Sequence, residues 1–263
     1  MRYALEVQYR GKNYAGSQIQ FEGKCKDGTR SERVEPTVQG ELERALRTLI
    51  KSGETADNNR PIKTIFSGRT DKGVNSLGQV VHFDYDKDIV ASKFIYQMNE
   101  ILPDDISVDN LRVVPDSFHA QKSARSRYYR YEFINRRYKQ AFDGDILRVK
   151  YEIDIERMQT ALNFLLGEHD FSSFKSSGTL NPSKVCFISR AEVEQQGDRV
   201  FIHIEGNRFL YNMVRTIVGT LLEIEGHKLP PEHMKYVLEA KDRRKAGRTV
   251  CPYGLTLMRV DYP

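Results

Sequence analysis

The chain opens with an alternating pattern of hydrophobic residues and continues with a helical one. Every second residue from Tyr3 to Tyr9 is hydrophobic, which predicts a half-buried strand. The segment 38–50 carries apolar residues at helical spacing and predicts an amphipathic helix. These residues are Val38, Leu42, Ala45, Leu46, Leu49 and Ile50. The composition of 62–67 and of 79–85 indicates two further strands.

The rest of the chain continues this mixture of helices and strands. Helices are predicted at 94–102, from the capping residue Asp154 to Gly167, across the apolar segment 209–224, and after Pro230. Strand composition marks the segments 106–114, 128–134, 187–194, 200–205 and 255–260.

Strands outnumber simple β-α-β crossovers in this pattern, and neighbouring strands recur in pairs. An α+β fold with a mostly antiparallel sheet therefore fits better than a doubly wound parallel sheet. The repeated order of elements predicts two similar α/β halves, 1–145 and 146–263.

The composition is that of a globular protein with a small excess of positive charge. The 263 residues include 41 lysines and arginines against 36 acidic residues, which gives a net charge of +5. This excess permits a polyanionic partner but does not require one. The mean hydropathy is −0.58, and no apolar run approaches the ~20 residues of a membrane-spanning helix. The cysteines, Cys25, Cys186 and Cys251, are far apart, which argues against a disulfide framework. Together with an N-terminus that has strand composition rather than that of a targeting peptide, they favour the reducing cytoplasm.

Motifs for metal, nucleotide and serine-hydrolase sites are absent from the sequence. It contains no H-E-x-x-H, no C-x-x-C, no G-x-G-x-x-G, no G-x-x-x-x-G-K-[ST] and no G-x-S-x-G. We therefore expect neither a metal nor a cofactor, and we expect the six histidines to be ordinary surface or core residues.

The segment 68–78 combines three glycines with a lone carboxylate beside basic residues. Arg69 and Asp71 are two residues apart and would project to the same side of an extended chain, with Lys72 next to them. A nearby cation keeps a carboxylate ionised, which suits a nucleophile or a base. The residue types alone fit a turn aspartate in a surface ion pair at least as well.

Basic and aromatic residues interleave from Phe118 to Tyr131. Lysines and arginines neutralise phosphates and tyrosines stack on bases, so the pattern predicts a surface for single-stranded or loop RNA. The alternative is a strand with tyrosines in the core and solvated arginines. The alternation of Tyr129 and Tyr131 with Arg130 and Glu132 indicates that this alternative holds for some of the tyrosines.

A single arginine, Arg215, interrupts the apolar segment 209–224. An unpaired buried charge costs several kcal/mol. Either the side chain reaches the surface along its apolar stem, or it pairs with an important carboxylate.

Taken in order, these segments resemble the TruA family of tRNA pseudouridine synthases. The family's most specific motif, G-R-T-D-x-G-V, corresponds to Gly68-Arg69-Thr70-Asp71-Lys72-Gly73-Val74. Further matches cover almost the whole chain: Tyr9, Gly11, Tyr14, Gly16 and Gln18-Ile19-Gln20; Thr37 to Glu43; Phe118-His119-Ala120, Ser123-Ala124 and Tyr129-Arg130-Tyr131; Asp170 to Phe174; Phe209-Leu210 and Met213-Val214-Arg215; Ala246-Gly247 and Gly254 to Leu257.

The resemblance implies two α+β halves with an active-site cleft between them, and a homodimer. It also implies isomerisation of uridine to pseudouridine at positions 38, 39 and 40 of the tRNA anticodon arm, without metal or cofactor. Asp71 would be the nucleophile, paired with Arg215, while Tyr129 would stack on the target base and Arg69 would hold the flipped nucleotide. The residues that would contact tRNA are Phe118, His119, Ala120, Gln121, Lys122, Arg125, Phe171, Ser172, Ser173, Phe174 and Lys175.

The sequence departs from the family pattern at four places. Asn75 stands where the family carries His, Ser17 where it carries Trp and Gln121 where it carries Arg, and 21–35 resembles an insertion. These departures leave open the details of tRNA contact and the choice of uridines. The alternatives are a non-catalytic RNA-binding protein and a sister pseudouridine synthase with other RNA targets.

Overall fold

The computed structural model describes residues 1–19, 21–24, 30–32, 35–51, 62–176 and 183–263. They form two compact units, Met1–Ala124 with Tyr262–Pro263, and Arg125–Asp261. Part of the predicted insertion 21–35 and nearly all of 51–61 lie outside the described residues. The chain passes from the first unit to the second after Ala124, and the predicted division into similar halves after residue 145 stays a prediction.

The first unit combines an antiparallel sheet with two helices. Its elements are β1 (Arg2–Tyr9), β2 (Phe21–Lys24), β3 (Arg30–Glu32), α1 (Val38–Lys51), β4 (Ile65–Phe66), β5 (Asn75–Asp84), α2 (Ala91–Ile101) and β6 (Ile106–Val114). β1 lies between β5 and β6 and is antiparallel to both, with Tyr3 opposite Phe83 and Val113. β4 is antiparallel to β5, and β2 and β3 form a separate antiparallel pair.

The core of the first unit follows the hydrophobic pattern of β1 and α1. All four alternating positions of β1, from Tyr3 to Tyr9, are buried. They belong to one hydrophobic cluster with helix residues, among them Val38, Leu42, Ala45, Leu46, Phe94 and Met98. The predicted strand at the start of the chain and the amphipathic helix after it are therefore confirmed.

The second unit combines mostly antiparallel strands with three helices. Its elements are β7 (Ser126–Asn135), β8 (Leu147–Val149), α3 (Ile155–Asn163), β9 (Gly167–Asp170), β10 (Val185–Gln196), β11 (Arg199–Gly206), α4 (Met213–Gly226), α5 (His233–Ala240) and β12 (Leu255–Asp261). The strand order is β12-β7-β11-β10-β9, each pair antiparallel, and the short β8 runs parallel to β7. The predicted α+β class with a mostly antiparallel sheet is confirmed.

Two predicted helix ends in the second unit are wrong. α4 begins at Met213 rather than at residue 209, because Asn212 adopts a left-handed conformation (φ 61°, ψ 9°) that a right-handed helix cannot contain. The α3 helix ends before Gly167, whose φ of 95° starts β9 instead. The predicted cap at the other end of α3 is confirmed, since the Asp154 carboxylate accepts a hydrogen bond from the Arg157 N–H at 3.1 Å.

Within the described ranges, no helix combines the length and the apolar character that crossing a membrane requires. Two cysteines, Cys186 and Cys251, are described, and both are free thiols. Burial raises the pKa of the Cys186 thiol to about 11, so this cysteine is an unreactive core residue.

Candidate active site

The loop that carries Asp71 is fixed by backbone contacts to the segment after β1. The Ser17 N–H donates to the Thr70 carbonyl at 3.1 Å, and the Ser17 hydroxyl accepts from the Thr70 N–H at 2.8 Å. Asp71 itself forms an isolated antiparallel bridge with Gly16. Gly16 has a φ of 131°, and a Cβ there would lie 2.8 Å from the Thr70 carbonyl oxygen, so only glycine allows this approach.

Buried polar side chains of the sheet support the same loop. The hydroxyls of Tyr9 and Thr70 are 2.8 Å apart, and the Gln79 amide donates to the Gly68 carbonyl at 2.9 Å. Burial raises the pKa of the Tyr9 hydroxyl, which therefore stays protonated. These contacts hold the backbone on either side of Arg69.

The loop closes in a turn at Gly73, and Gly11 packs closely against it from the segment after β1. Gly73 has a φ of 83°, and the Val74 N–H returns to the Asp71 carbonyl at 3.1 Å. A Cβ on Gly11 would lie 2.0 Å from the Val74 carbonyl oxygen. The Asn75 side chain accepts from the Gly11 N–H at 2.9 Å, so this departure from the family pattern fastens the loop to the turn that follows β1.

The charged side chains of the loop differ in exposure. Asp71 is half-buried, whereas Arg69 and Lys72 are exposed. Lys72 has a carboxylate partner of its own, since its Nζ lies 3.0 Å from Glu35 Oε2 in an exposed ion pair. The structure thus presents one partly shielded carboxylate on a loop whose backbone is held from several sides.

In the second unit, Arg215 is half-buried in the first turn of α4, and its guanidinium donates to a backbone carbonyl and to a side-chain oxygen. Its Nε donates to the Val250 carbonyl at 2.8 Å, and its Nη1 donates to the Asn212 side-chain oxygen at 2.7 Å. Both acceptors are neutral, so they fix the plane of the guanidinium without cancelling its charge. The predicted pairing of Arg215 with Asp71 stays a prediction.

Close packing of α4 against 247–250 holds the Val250 carbonyl in place. A Cβ on Gly219 would lie 1.7 Å from the Arg248 carbonyl oxygen, and one on Gly247 would lie 2.7 Å from the Gly219 carbonyl oxygen. The Thr220 hydroxyl also accepts from the Gly247 N–H at 2.9 Å. Glycine is required at both positions for this contact between two backbones.

The tyrosines of β7 divide between core and surface. Tyr129 is half-buried, and its ring lies edge-to-face with Phe209 at 5.1 Å between centroids. Tyr131 is fully buried, and its hydroxyl donates to the Cys251 carbonyl at 3.0 Å. The alternative interpretation, a core tyrosine, is therefore confirmed for Tyr131, whereas Tyr129 keeps a partly exposed ring.

The predicted tRNA-contact segment after Phe118 is a compact turn. The His119 ring nitrogen Nδ1 accepts from the N–H groups of Gln121 and Lys122 at 3.2 and 3.3 Å. Ala120 is fully buried, while Gln121, Lys122 and Arg125 are exposed. The turn therefore presents its polar and basic side chains to solvent, and their contact with tRNA stays a prediction.

His82, a buried residue of β5, anchors this turn. Its Nδ1 accepts from the Ala120 N–H at 3.1 Å, and the Tyr262 hydroxyl donates to the Ala120 carbonyl at 2.7 Å. Burial, with the charges of Arg2 and His119, lowers the pKa of His82 to about 4. The ring is therefore neutral at physiological pH, as its role of acceptor requires.

We expect the lowered pKa of His82 to make the folded protein less stable at acidic pH. The folded chain keeps this ring neutral down to about pH 4, but the unfolded chain protonates it near pH 6.5. The stabilisation from keeping His82 neutral is fully present above pH 6.5 and is lost as the pH falls towards 4. The free energy of unfolding should therefore fall by about 2 kcal/mol between pH 7.5 and pH 5. Urea unfolding of the wild type and of His82→Asn at both pH values measures this change, because the asparagine Oδ1 takes the place of Nδ1 and accepts the same hydrogen bond without titrating. Equal pH dependence in the two proteins would contradict the assignment.

The second predicted tRNA-contact segment, 171–175, is anchored by its phenylalanines. Phe171 and Phe174 are fully buried, as is Ser173, and the Ser172 N–H donates to Asp170 Oδ1 at 2.9 Å. Ser172 and Lys175 are the half-buried members of the segment. The aromatic side chains thus hold the backbone, and tRNA contact by this segment stays a prediction.

Sequence comparison identifies the family. The family described as tRNA pseudouridine synthase matches residues 161–263. The tRNA pseudouridine synthase A of Bacillus licheniformis is 39% identical over 263 residues, which covers 100% of this chain and 99% of that protein. The chain belongs to the tRNA pseudouridine synthase A family. Members from Bacillus subtilis (39% identity, 100% of this chain, 99% of that protein) and Photobacterium profundum (39% identity, 100% of this chain, 94% of that protein) match similarly.

Membership of the tRNA pseudouridine synthase A family confirms the resemblance drawn from the motifs. A solved structure titled "Crystal Structure of a Cbf5-Nop10-Gar1 Complex" aligns with 84% of this chain and 54% of that chain, at 10% identity and a TM-score of 0.36. This likeness is too low to bear on the fold.

Three supporting residues of the site were not predicted from the sequence. Asn212 was assigned to the predicted apolar helix 209–224, and no motif or hydrophobic pattern marks His82 or Tyr262. Their partners are distant in the sequence or lie across a helix start, so hydrophobic periodicity does not reveal them.

Proposed function

We propose that this chain isomerises uridine to pseudouridine in tRNA, with Asp71 as the nucleophile. Family membership over the full length of the chain carries the proposal. The structure adds a partly shielded carboxylate on a loop whose backbone is held at Thr70 and Val74. A nucleophile so fixed loses little freedom when the substrate arrives.

The reaction exchanges one bond of the nucleotide for another. The bond from C1′ to N1 breaks, the uracil turns over, and a new bond forms from C1′ to C5. C5 loses its proton and N1 gains one, so the product is an isomer and no redox partner is needed. The Asp71 carboxylate attacks the nucleoside, Arg215 supports its charge, Tyr129 stacks on the target base and Arg69 holds the flipped nucleotide.

The finer assignments are part of the same proposal. The uridines are those at positions 38, 39 and 40 of the anticodon arm, and the enzyme acts in the cytoplasm as a homodimer without metal or cofactor. Mapping pseudouridine in total tRNA, with and without the gene, tests them. Loss confined to these three positions is expected. Loss in other RNAs would favour a sister enzyme, and no loss would favour a non-catalytic RNA-binding protein.

We expect tRNA affinity to depend on salt through Lys122 and Arg125. Both side chains are exposed next to the turn that His119 closes, where they can reach phosphates. Replacing both with alanine should weaken binding and reduce the slope of log K against log salt by about 1.5. Filter binding over a salt series measures this slope.

A matched control for the salt experiment replaces two exposed lysines outside this segment, Lys87 and Lys93, with alanine. Their replacement should change the slope by less. Equal effects of the two pairs would show that total charge, and not the segment 118–125, governs binding.

A further inference from the structure

Asn212 occupies the N-cap position, directly before the first residue of α4, but its side chain does not cap the helix. Its side chain makes no hydrogen bond to the N–H groups of the first turn. Asparagine is favoured at this position because it makes such a bond. Asn212 also adopts a left-handed conformation that few residues other than glycine and asparagine tolerate. The conformation and the missing cap indicate that the amide has another use.

Both ends of the Asn212 amide are engaged elsewhere. Its Oδ1 accepts from Arg215 Nη1 at 2.7 Å, and its Nδ2 donates to the Ser176 hydroxyl at 3.0 Å. Because arginine can only donate, the orientation of the amide is fixed by chemistry. The Ser176 N–H also donates to the Tyr211 carbonyl at 3.1 Å, so the serine is held by backbone and side chain.

The two hydrogen bonds of the Asn212 amide form a bridge between two parts of the second unit that have roles in the proposed function. On one side is the guanidinium of Arg215, which also donates to the Val250 carbonyl. On the other side is Ser176, directly after the segment 171–175. One neutral amide therefore connects the segment proposed to contact tRNA with the cation proposed to act in the reaction.

We propose that Asn212 is a positioning residue that orients Arg215 and couples this orientation to the segment 171–175. The proposal rests on the proposed function, in which Arg215 supports Asp71. Asn212 orients the Arg215 guanidinium through a hydrogen bond and, being neutral, leaves its positive charge in place. Removing the amide should slow the reaction while leaving tRNA binding largely unchanged.

Two substitutions separate this role from a structural one. Asn212→Gly keeps the left-handed backbone and removes both hydrogen bonds. Asn212→Asp keeps an acceptor for Arg215, but its carboxylate offsets the charge of the guanidinium. A purely structural role would make aspartate the milder change, whereas the positioning role makes it the more severe one.

The experiment measures the single-turnover rate of pseudouridine formation at saturating tRNA, together with the Kd for tRNA. We expect a fall in rate of about 10-fold for Asn212→Gly and about 100-fold for Asn212→Asp, with Kd changed less than about twofold. Asn110→Gly is the matched control, because Asn110 is another left-handed asparagine (φ 51°), in the first unit, and its amide donates to Glu6 at 2.7 Å. Its rate should equal that of the wild type.

Ser176→Ala provides a second variant if substitution of Asn212 impairs folding. It removes one end of the bridge and should lower the rate about threefold with unchanged Kd. Wild-type rates in Asn212→Gly and Ser176→Ala, or a milder effect of Asn212→Asp than of Asn212→Gly, would overturn the inference alone. A wild-type chain that forms no pseudouridine would overturn the proposed function itself.

Discussion

Asp71→Asn is expected to lower pseudouridine formation by at least about 10⁴-fold, while the protein folds and binds tRNA as before. Asparagine has nearly the same shape as aspartate but carries no charge and is no nucleophile. The loop should survive the change, because the backbone of Thr70, Asp71 and Val74 makes contacts that the substitution leaves in place. A loss of activity can then be assigned to chemistry.

Tritium release from tRNA labelled at C5 of uridine measures the reaction directly, since C5 exchanges its hydrogen for a carbon bond. Asp86→Asn, at an exposed aspartate of the same unit, is the matched control and should keep full activity. Activity of Asp71→Asn within a few-fold of the wild type would place the nucleophile elsewhere.

The parts of the fold predicted correctly are those governed by local pattern. The alternation from Tyr3 to Tyr9 gave β1, and the apolar face of 38–50 gave α1, because each element buries one side against the same core. The start of α4 was predicted wrongly for a related reason. Residues 209–211 are hydrophobic like the helix that follows, and hydrophobicity alone does not reveal the left-handed turn at Asn212.

The candidate site was proposed from its motifs, whereas the residues that support it were not predicted. The motif points to Asp71, and the hydrogen bonds that fix its loop come from Ser17, Tyr9 and Gln79. These partners are brought to the loop by the fold and share no local pattern with it. Asn75 illustrates the point, since it first stood out as a departure from the family and proves to bind the Gly11 N–H.

The loop also explains why sequence patterns alone favoured a plain turn. An aspartate between Arg69 and Lys72 has the composition of a surface ion pair, and Lys72 does form one, with Glu35. What distinguishes Asp71 is the glycine-dependent approach of the chain at Gly16, which the composition of 68–78 does not contain.

Arg215→Met is expected to lower the rate by about 10²- to 10³-fold and to leave tRNA binding nearly unchanged. Methionine keeps much of the stem's packing but removes the charge that the proposed function places with Asp71. It also removes the donors to the Val250 carbonyl and to Asn212, which should lower the free energy of unfolding by about 1–2 kcal/mol. Rate and stability therefore have to be measured together.

Arg243→Met is the matched control that separates these two effects. Arg243 also holds the segment after α5, because its guanidinium donates to the Ala246 carbonyl at 3.2 Å and to the Thr249 hydroxyl at 3.0 Å. Its replacement should cost similar stability and leave the rate within a few-fold of the wild type. Equal losses of rate in the two variants would show that Arg215 serves only to hold 246–250.

The pH dependence of Arg215→Met distinguishes loss of charge from loss of orientation. A carboxylate without a cationic neighbour keeps its proton to higher pH, and a protonated Asp71 is no nucleophile. If charge dominates, the rate of Arg215→Met should rise with pH across a range in which the wild-type rate is flat. Arg215→Lys should then recover more activity than Arg215→Met, because lysine restores the charge without the planar fork that binds Val250 and Asn212. A flat profile in Arg215→Met, with no recovery in Arg215→Lys, would mean that the geometry of the guanidinium matters more than its charge.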